Sequence, residues 1–153
     1  MKNILTLLTV LLLSQSLISQ ISLDLEKSKI KWTGKKITNA SHWGSLSFSE
    51  ANLDFDGDDL LGGKFIVDMN SISVDDIQGR GKQRLEGHLR NKDFFDVENH
   101  KEATLMFNER VPLNNGVYEV TGTLTIKDIS NPIKFTLIPT GNNYSSTLTF
   151  DRT

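Results

Sequence analysis

Over most of this chain the apolar residues recur at every second position, in short runs broken by turn residues, and that period limits what it can fold into. Ile30, Trp32 and Gly34 alternate with lysines and Thr33. Leu46 and Phe48 alternate with Ser45, Ser47 and Ser49, and Phe65, Val67 and Met69 with Lys64 and Asp68. Ala103 to Phe107, Tyr118 to Ile126, Ile133 to Leu137, and Leu148 with Phe150 follow the same rule. A period of two gives each strand one buried face and one wetted face. About seven such strands have to curl into a barrel or pair as two sheets. Leu53 and Phe55 fall on the opposite parity from Leu46 and Phe48, so a β-bulge near Ser49 to Ala51 is expected.

The breaks carry turn chemistry. Asp56-Gly57 and Asn115-Gly116 are hairpin signals, because both central residues of a type I′ turn need positive φ. Ser130-Asn131-Pro132 and Gly141-Asn142-Asn143 read as further turns. Successive hairpins make an antiparallel meander. From Asp75 to Asp96 the alternation stops; Lys82 to Leu89 is rich in helix formers with Leu85 and Leu89 on one face, which predicts one short helix and then a turn at Asn91 to Asp93.

The first residues form a separate unit. Lys2 precedes an apolar stretch from Ile4 to Leu13, then Ser14-Gln15-Ser16 and Ser19. This is the pattern of a secretory signal peptide over residues 1–19, cleaved after Ser19, with a single domain over residues 20–153. The apolar run is shorter than the roughly 20 residues that span a bilayer, so no stable membrane span is expected after cleavage. A periplasmic or secreted protein follows. There is no cysteine, so the core alone holds the fold. Of 17 cationic residues Lys2 leaves with the leader, and 16 against 19 acidic ones gives nothing for a nucleic-acid partner to bind.

Site motifs fail on spacing. Counted from Asp54, a calcium loop would need Gly and Glu where Asp59 and Phe65 stand. Gly57 and Gly62-Gly63-Lys64 miss the phosphate-loop spacing and have no helix after them. His42, His88 and His100 lack metal-site spacing, and no nucleophile elbow is present. No metal, cofactor or catalytic group is expected.

Several longer words then identify a relationship. GGKFIVDMNSI (Gly62 to Ile72), LEGHL (Leu85 to Leu89), DFFDVE (Asp93 to Glu98) and VTGTLTIKDISNPIKF (Val120 to Phe135) resemble the YceI-like family. KIKWTGKK at Lys29 to Lys36, His42-x-Gly44 and the final DRT belong to the same pattern. The resemblance implies a lipocalin-like antiparallel β-barrel of eight strands that holds a polyisoprenoid or other long-chain lipid. The chain departs from the pattern at Asp128, where the family has Gly, and it stops where relatives continue into further strand. We therefore expect a truncated C-terminus, a missing closing strand, and an open edge at Ile30 and Trp32 that promotes a homodimer. The charged side chains of Lys29, Lys31, Lys35 and Lys36 would blunt that edge.

The inward parity set supplies the expected cavity lining: Trp32, Leu46, Phe48, Phe65, Val67, Met69, Phe107, Leu124, Ile126, Phe135 and Leu137. His42, Arg84 and His88 are the candidates to meet a headgroup at the mouth. Two other readings stand beside this one. One is an envelope enzyme acting on a small apolar substrate, which needs a titratable group in the cavity. The other is a filled barrel serving as a protein-interaction domain.

Overall fold

The computed structural model describes residues 18–35 and 41–151. The expected leader up to Leu17, residues 36–40 with Lys36, and Arg152-Thr153 of the final DRT lie outside them. The fold is an all-β antiparallel half-barrel of eight strands with one helix. The strands are β1 (Ile18–Ser22), β2 (Ile30–Lys35), β3 (Ser41–Asp56), β4 (Asp59–Val74), β5 (Glu102–Pro112), β6 (Tyr118–Ile126), β7 (Ile129–Thr140) and β8 (Asn143–Ser145). Helix α1 (Gly79–Arg90) lies between β4 and β5.

Each strand from β3 to β7 pairs with the next, while β1 and β2 lie end to end along β3. β1 has no counterpart among the runs read from the sequence. Its first two residues lie ahead of the expected cleavage point, and Gln20 to Ser22 pair with Asp54 to Asn52 beyond it. Among the described residues neither edge of the curled sheet meets the other.

β3 and β4 are 16 residues each, long enough that a flat ladder would not curl around a core. Register shifts at Ser45/Ser47, Phe48/Glu50 and Asp54/Phe55 bend them, and the middle one is the bulge that the parity change demands. Close approach matters at Gly44, where a Cβ would sit 1.8 Å from the Ser73 carbonyl oxygen; only glycine lets the strands coil so tightly there.

The core fills the concave side. At the lower end Leu53, Phe55, Leu60, Phe107, Val120, Ile133, Phe135 and Leu137 pack together. Met69, Val97 and Ala103 form the middle, and Ile72, Val74 and Leu89 the end under α1. That upper end is the mouth: α1 packs on β4, the 91–100 loop bonds to the β6–β7 turn, and the start of β3 bonds to Asp75 and Asp76.

Four local expectations need correction. The helix begins at Gly79, three residues before Lys82, because Arg80 and Gly81 continue its first turn. Ser130-Asn131-Pro132 is not a turn but part of β7, paired with Thr125, Leu124 and Thr123; the turn is Lys127-Asp128, closed by the Ile126–Ile129 pair. Pro132 is tolerated because β7 has a free side, where no ladder hydrogen bond is lost. Asp56 and Asp59 pair across Gly57-Asp58, and of those two only Gly57 has positive φ, so a type I′ turn does not form. Leu148 and Phe150 alternate without forming a strand: the chain leaves β8 at Ser145, and Leu148 turns onto the core. Asn115 and Gly116, in contrast, have φ of 60° and 72°, the left-handed pair that the sequence predicts.

Candidate functional site

Every residue of the expected lining except Phe48 packs in, or against, one of the three concave clusters. Phe48 rests on Phe65 with ring centroids 5.9 Å apart, and Phe65, Phe107 and Phe135 continue the row at 6.5 and 6.0 Å. Strand pairing places these rings: Phe65 sits between Ala51 and Leu105, and Phe107 between Gly63 and Gly122. The two glycines leave room for the ring, since a Cβ at Gly63 would lie 2.5 Å from Phe107 Cε1. Phe107 and Phe135 are buried in this row, while Phe48 and Phe65 are half-buried.

Open space lies further up. A cleft of about 410 Å³ is bounded by Phe94 and Phe95 below α1, by Leu124, Ile126, Ile129 and Ile133 on β6 and β7, and by Phe150 of the C-terminal segment. Its polar positions are Lys127, Asn131, Thr149 and Asp151. Of the expected lining only Leu124 and Ile126 reach it. Phe94, Phe95 and Phe150 are not in the lining that the sequence predicts; the first two fall where alternation stops, and the third is brought in only by the path of the tail.

The cleft wall at β6–β7 is held from outside. Lys127 and Asp128 have φ of 53° and 60°, a left-handed pair without glycine. Lys127 Nζ donates to the Lys92 carbonyl at 3.1 Å, and His100 Nδ1 lies 3.1 Å from Asp128 Oδ2. These contacts hold a left-handed turn that contains no glycine.

The three polar mouth candidates separate. His42 shares the parity of Gly44 and Leu46, and its Nδ1 lies 2.9 Å from Asp76 Oδ2. Burial of Asp76 opposes its charge, but hydrogen bonds from His42 and from the Trp43 and Asp76 backbone hold its carboxyl below the usual range. This pair is the arrangement an acid–base site would use, yet neither residue borders the cleft. His88 is exposed and meets the Phe94 ring at 5.4 Å, one side chain away from the cleft. Arg84 is exposed on α1 and is not brought to it. Among the described residues no group of three or more metal-ligating side chains comes together.

The helix has a different structural task. β5 pairs with β4 only as far as Asp68, which leaves Asn70 to Val74 without a strand on that side. α1 supplies side chains instead. Glu86 Oε1 accepts from the Val74 N–H at 2.9 Å, and Arg90 Nη2 donates to the Ile72 carbonyl. The Val74 hydrogen bond, with Lys82 and Arg90 nearby, holds the Glu86 carboxyl below the usual range against the opposing effect of its burial.

The chain has relatives of known sequence and structure. It is 29% identical over 92 residues to a UPF0312 protein of Pectobacterium atrosepticum, covering 60% of this chain and 45% of that one. It is 28% identical over 90 residues to a UPF0312 protein of Vibrio parahaemolyticus, covering 59% and 46%. The matched stretch thus spans about half the length of these relatives. The crystal structure of Burkholderia cenocepacia BcnA superimposes with a TM-score of 0.67 at 23% identity, over 84% of this chain and 80% of that one, and shares the fold. A YceI-like domain is matched over residues 22–153, so the chain belongs to the YceI-like family.

Proposed function

We propose that this protein is an exported binding protein that holds an apolar lipid, of the isoprenoid or fatty-acyl type, on the concave side of its half-barrel. The observation that carries this reading is the cleft of about 410 Å³ with Phe94, Phe95, Leu124, Ile126, Ile133 and Phe150 around it. Small-molecule sites run from about 300 to 1,000 Å³ and are lined mostly by apolar side chains with a few polar ones. Burial of ligand surface at about 25 cal/mol per Å² supplies the affinity without a charged clamp. Binding is preferred to catalysis because His42 and Asp76 face each other away from the cleft. Family membership supports the same reading.

The test is lipid extraction and mass spectrometry of the protein purified from its native envelope. A stoichiometric isoprenoid or acyl lipid is expected; an intact protein that yields none overturns the proposal. Export is tested on the same sample, whose N-terminus should begin at Gln20 and whose location should be the periplasm or the medium. A form that keeps Met1 and stays in the cytoplasm overturns it.

A further inference from the structure

The mouth end carries a surface that lipid binding in the cleft does not use. Arg80, Arg84 and His88 stand four residues apart on α1, so they form one stripe, and all three are exposed. Neither Arg80 nor Arg84 makes an ion pair among the described residues. The outer face of the β2–β3 ladder presents Lys31, Lys35 and Trp43, and Trp43 is 40% exposed although it is among the largest apolar side chains. Lys31 Nζ stands 4.3 Å over its ring. The two surfaces lie at the same end of the sheet: the Asp75 N–H donates to the Trp43 carbonyl at 3.0 Å, and α1 begins four residues later.

Among the described residues no acid forms an ion pair with Arg80, Arg84, Lys31 or Lys35. Asp75 is engaged by Ser73 and Lys82, Asp76 by His42, and Glu86 by Val74, Lys82 and Arg90. Acids are therefore committed within the mouth, while Arg80, Arg84, Lys31 and Lys35 point their charge outward. The chain as a whole is net negative, at −2, so general charge attraction cannot bring it to an anionic surface. A local patch can. Tryptophan favours the bilayer–water boundary, and lysine and arginine near an anionic leaflet are each attracted to it.

We propose that the mouth end docks on an anionic lipid bilayer through Arg80 and Arg84 of α1, together with Lys31, Lys35 and Trp43 at the same end of the β2–β3 ladder. The His88 ring, in contact with Phe94, links this surface to the wall of the cleft. The proposal extends the lipid-binding reading by naming where the ligand is collected. It stands on the surface itself, not on what fills the cleft.

Co-sedimentation of the protein with phosphatidylglycerol–phosphatidylethanolamine vesicles, against phosphatidylcholine vesicles, tests it. Binding is expected to the first and not the second, and to fall as salt is raised. The R80Q/R84Q variant, checked for parental circular dichroism, should bind the anionic vesicles roughly thirtyfold more weakly. Trp43→Ala should weaken binding with the lysines still in place. Equal partition to both vesicles, no binding to either, or parental binding by R80Q/R84Q overturns the proposal. Failure of the lipid-binding reading shows separately, as absence of N-phenyl-1-naphthylamine binding by the parent protein in solution.

Discussion

Glu86 reaches from the helix to the edge of β4 and accepts the Val74 backbone N–H at 2.9 Å, in the place where a neighbouring strand would offer a carbonyl. The bond is charge-assisted and sits over the buried side chains of Ile72, Val74 and Leu89. Glu86→Ala leaves the Val74 donor unsatisfied and should cost about 1–3 kcal/mol in denaturant titration. Glu86→Gln keeps an acceptor and should cost less. Equal losses would show that helix packing, not this hydrogen bond, protects the edge.

The same carboxylate makes a pH prediction. Its folded-state pKa is depressed, chiefly by the Val74 bond and then by Lys82 and Arg90, against the opposing effect of its burial. The folded protein therefore holds the charged form more tightly than the unfolded chain does. The resulting stability is complete above the ordinary glutamate range, near pH 4.5, and is lost as pH falls through the lower folded value. Glu86→Gln should flatten the decline in stability on the acid side of pH 4.5. A parallel decline in both proteins would assign the acid sensitivity to other carboxylates.

Phe107 is 5% exposed and meets Phe135 edge to face at 6.0 Å. It is packed interior, so Phe107→Ala should destabilise the ligand-free protein by about 3–5 kcal/mol. A loss below about 1 kcal/mol would mean that the ring faces ligand space and that truncation only enlarges it.

The Lys127-Asp128 turn uses left-handed backbone without glycine, which costs a side-chain-bearing residue roughly 1–2 kcal/mol. Asp128→Gly should remove part of that strain and also the His100 contact, which, with the Asp128 side chain 89% exposed, contributes between about 0 and 1 kcal/mol. A net gain is expected. At the opposite end Gly116→Val should destabilise clearly, while Asn114→Ala should be mild, since Gly116 alone of the two has positive φ. Thermal melts of the three variants check both turns.

β7 pairs with β6 from Ile129 to Leu137, but on its other side only Ile138 to Thr140 meet β8. A groove of about 400 Å³ lined by Lys134, Phe135, Thr136, Ile138 and Ser145 to Thr147 separates the rest from the tail. Alternate amides of residues 129–137 should exchange quickly while those of β6, paired on both sides, stay protected. Protection of every amide in β7 would mean that another segment or a second copy closes the edge; light scattering on the same sample identifies the second copy.

Strands, their buried faces, the bulge in β3 and the left-handed Asn115-Gly116 turn were legible because each follows from local rules. Side chains alternate across an extended backbone, water rewards one face, and positive φ favours particular residues. Those rules also placed Phe65, Phe107 and Phe135 on one surface before any contact was known. Other features depend on groups far apart in the chain. The cleft needs Phe94, Leu124 and Phe150 to converge, the Lys127-Asp128 turn needs Lys92 and His100 to hold it, and the edge at Val74 needs Glu86 twelve residues away. Leu148 and Phe150 show the boundary most clearly. Their alternation states which side of the segment is apolar, but a strand also needs a partner's hydrogen bonds, and only the tertiary path of the chain decides whether one lies beside it.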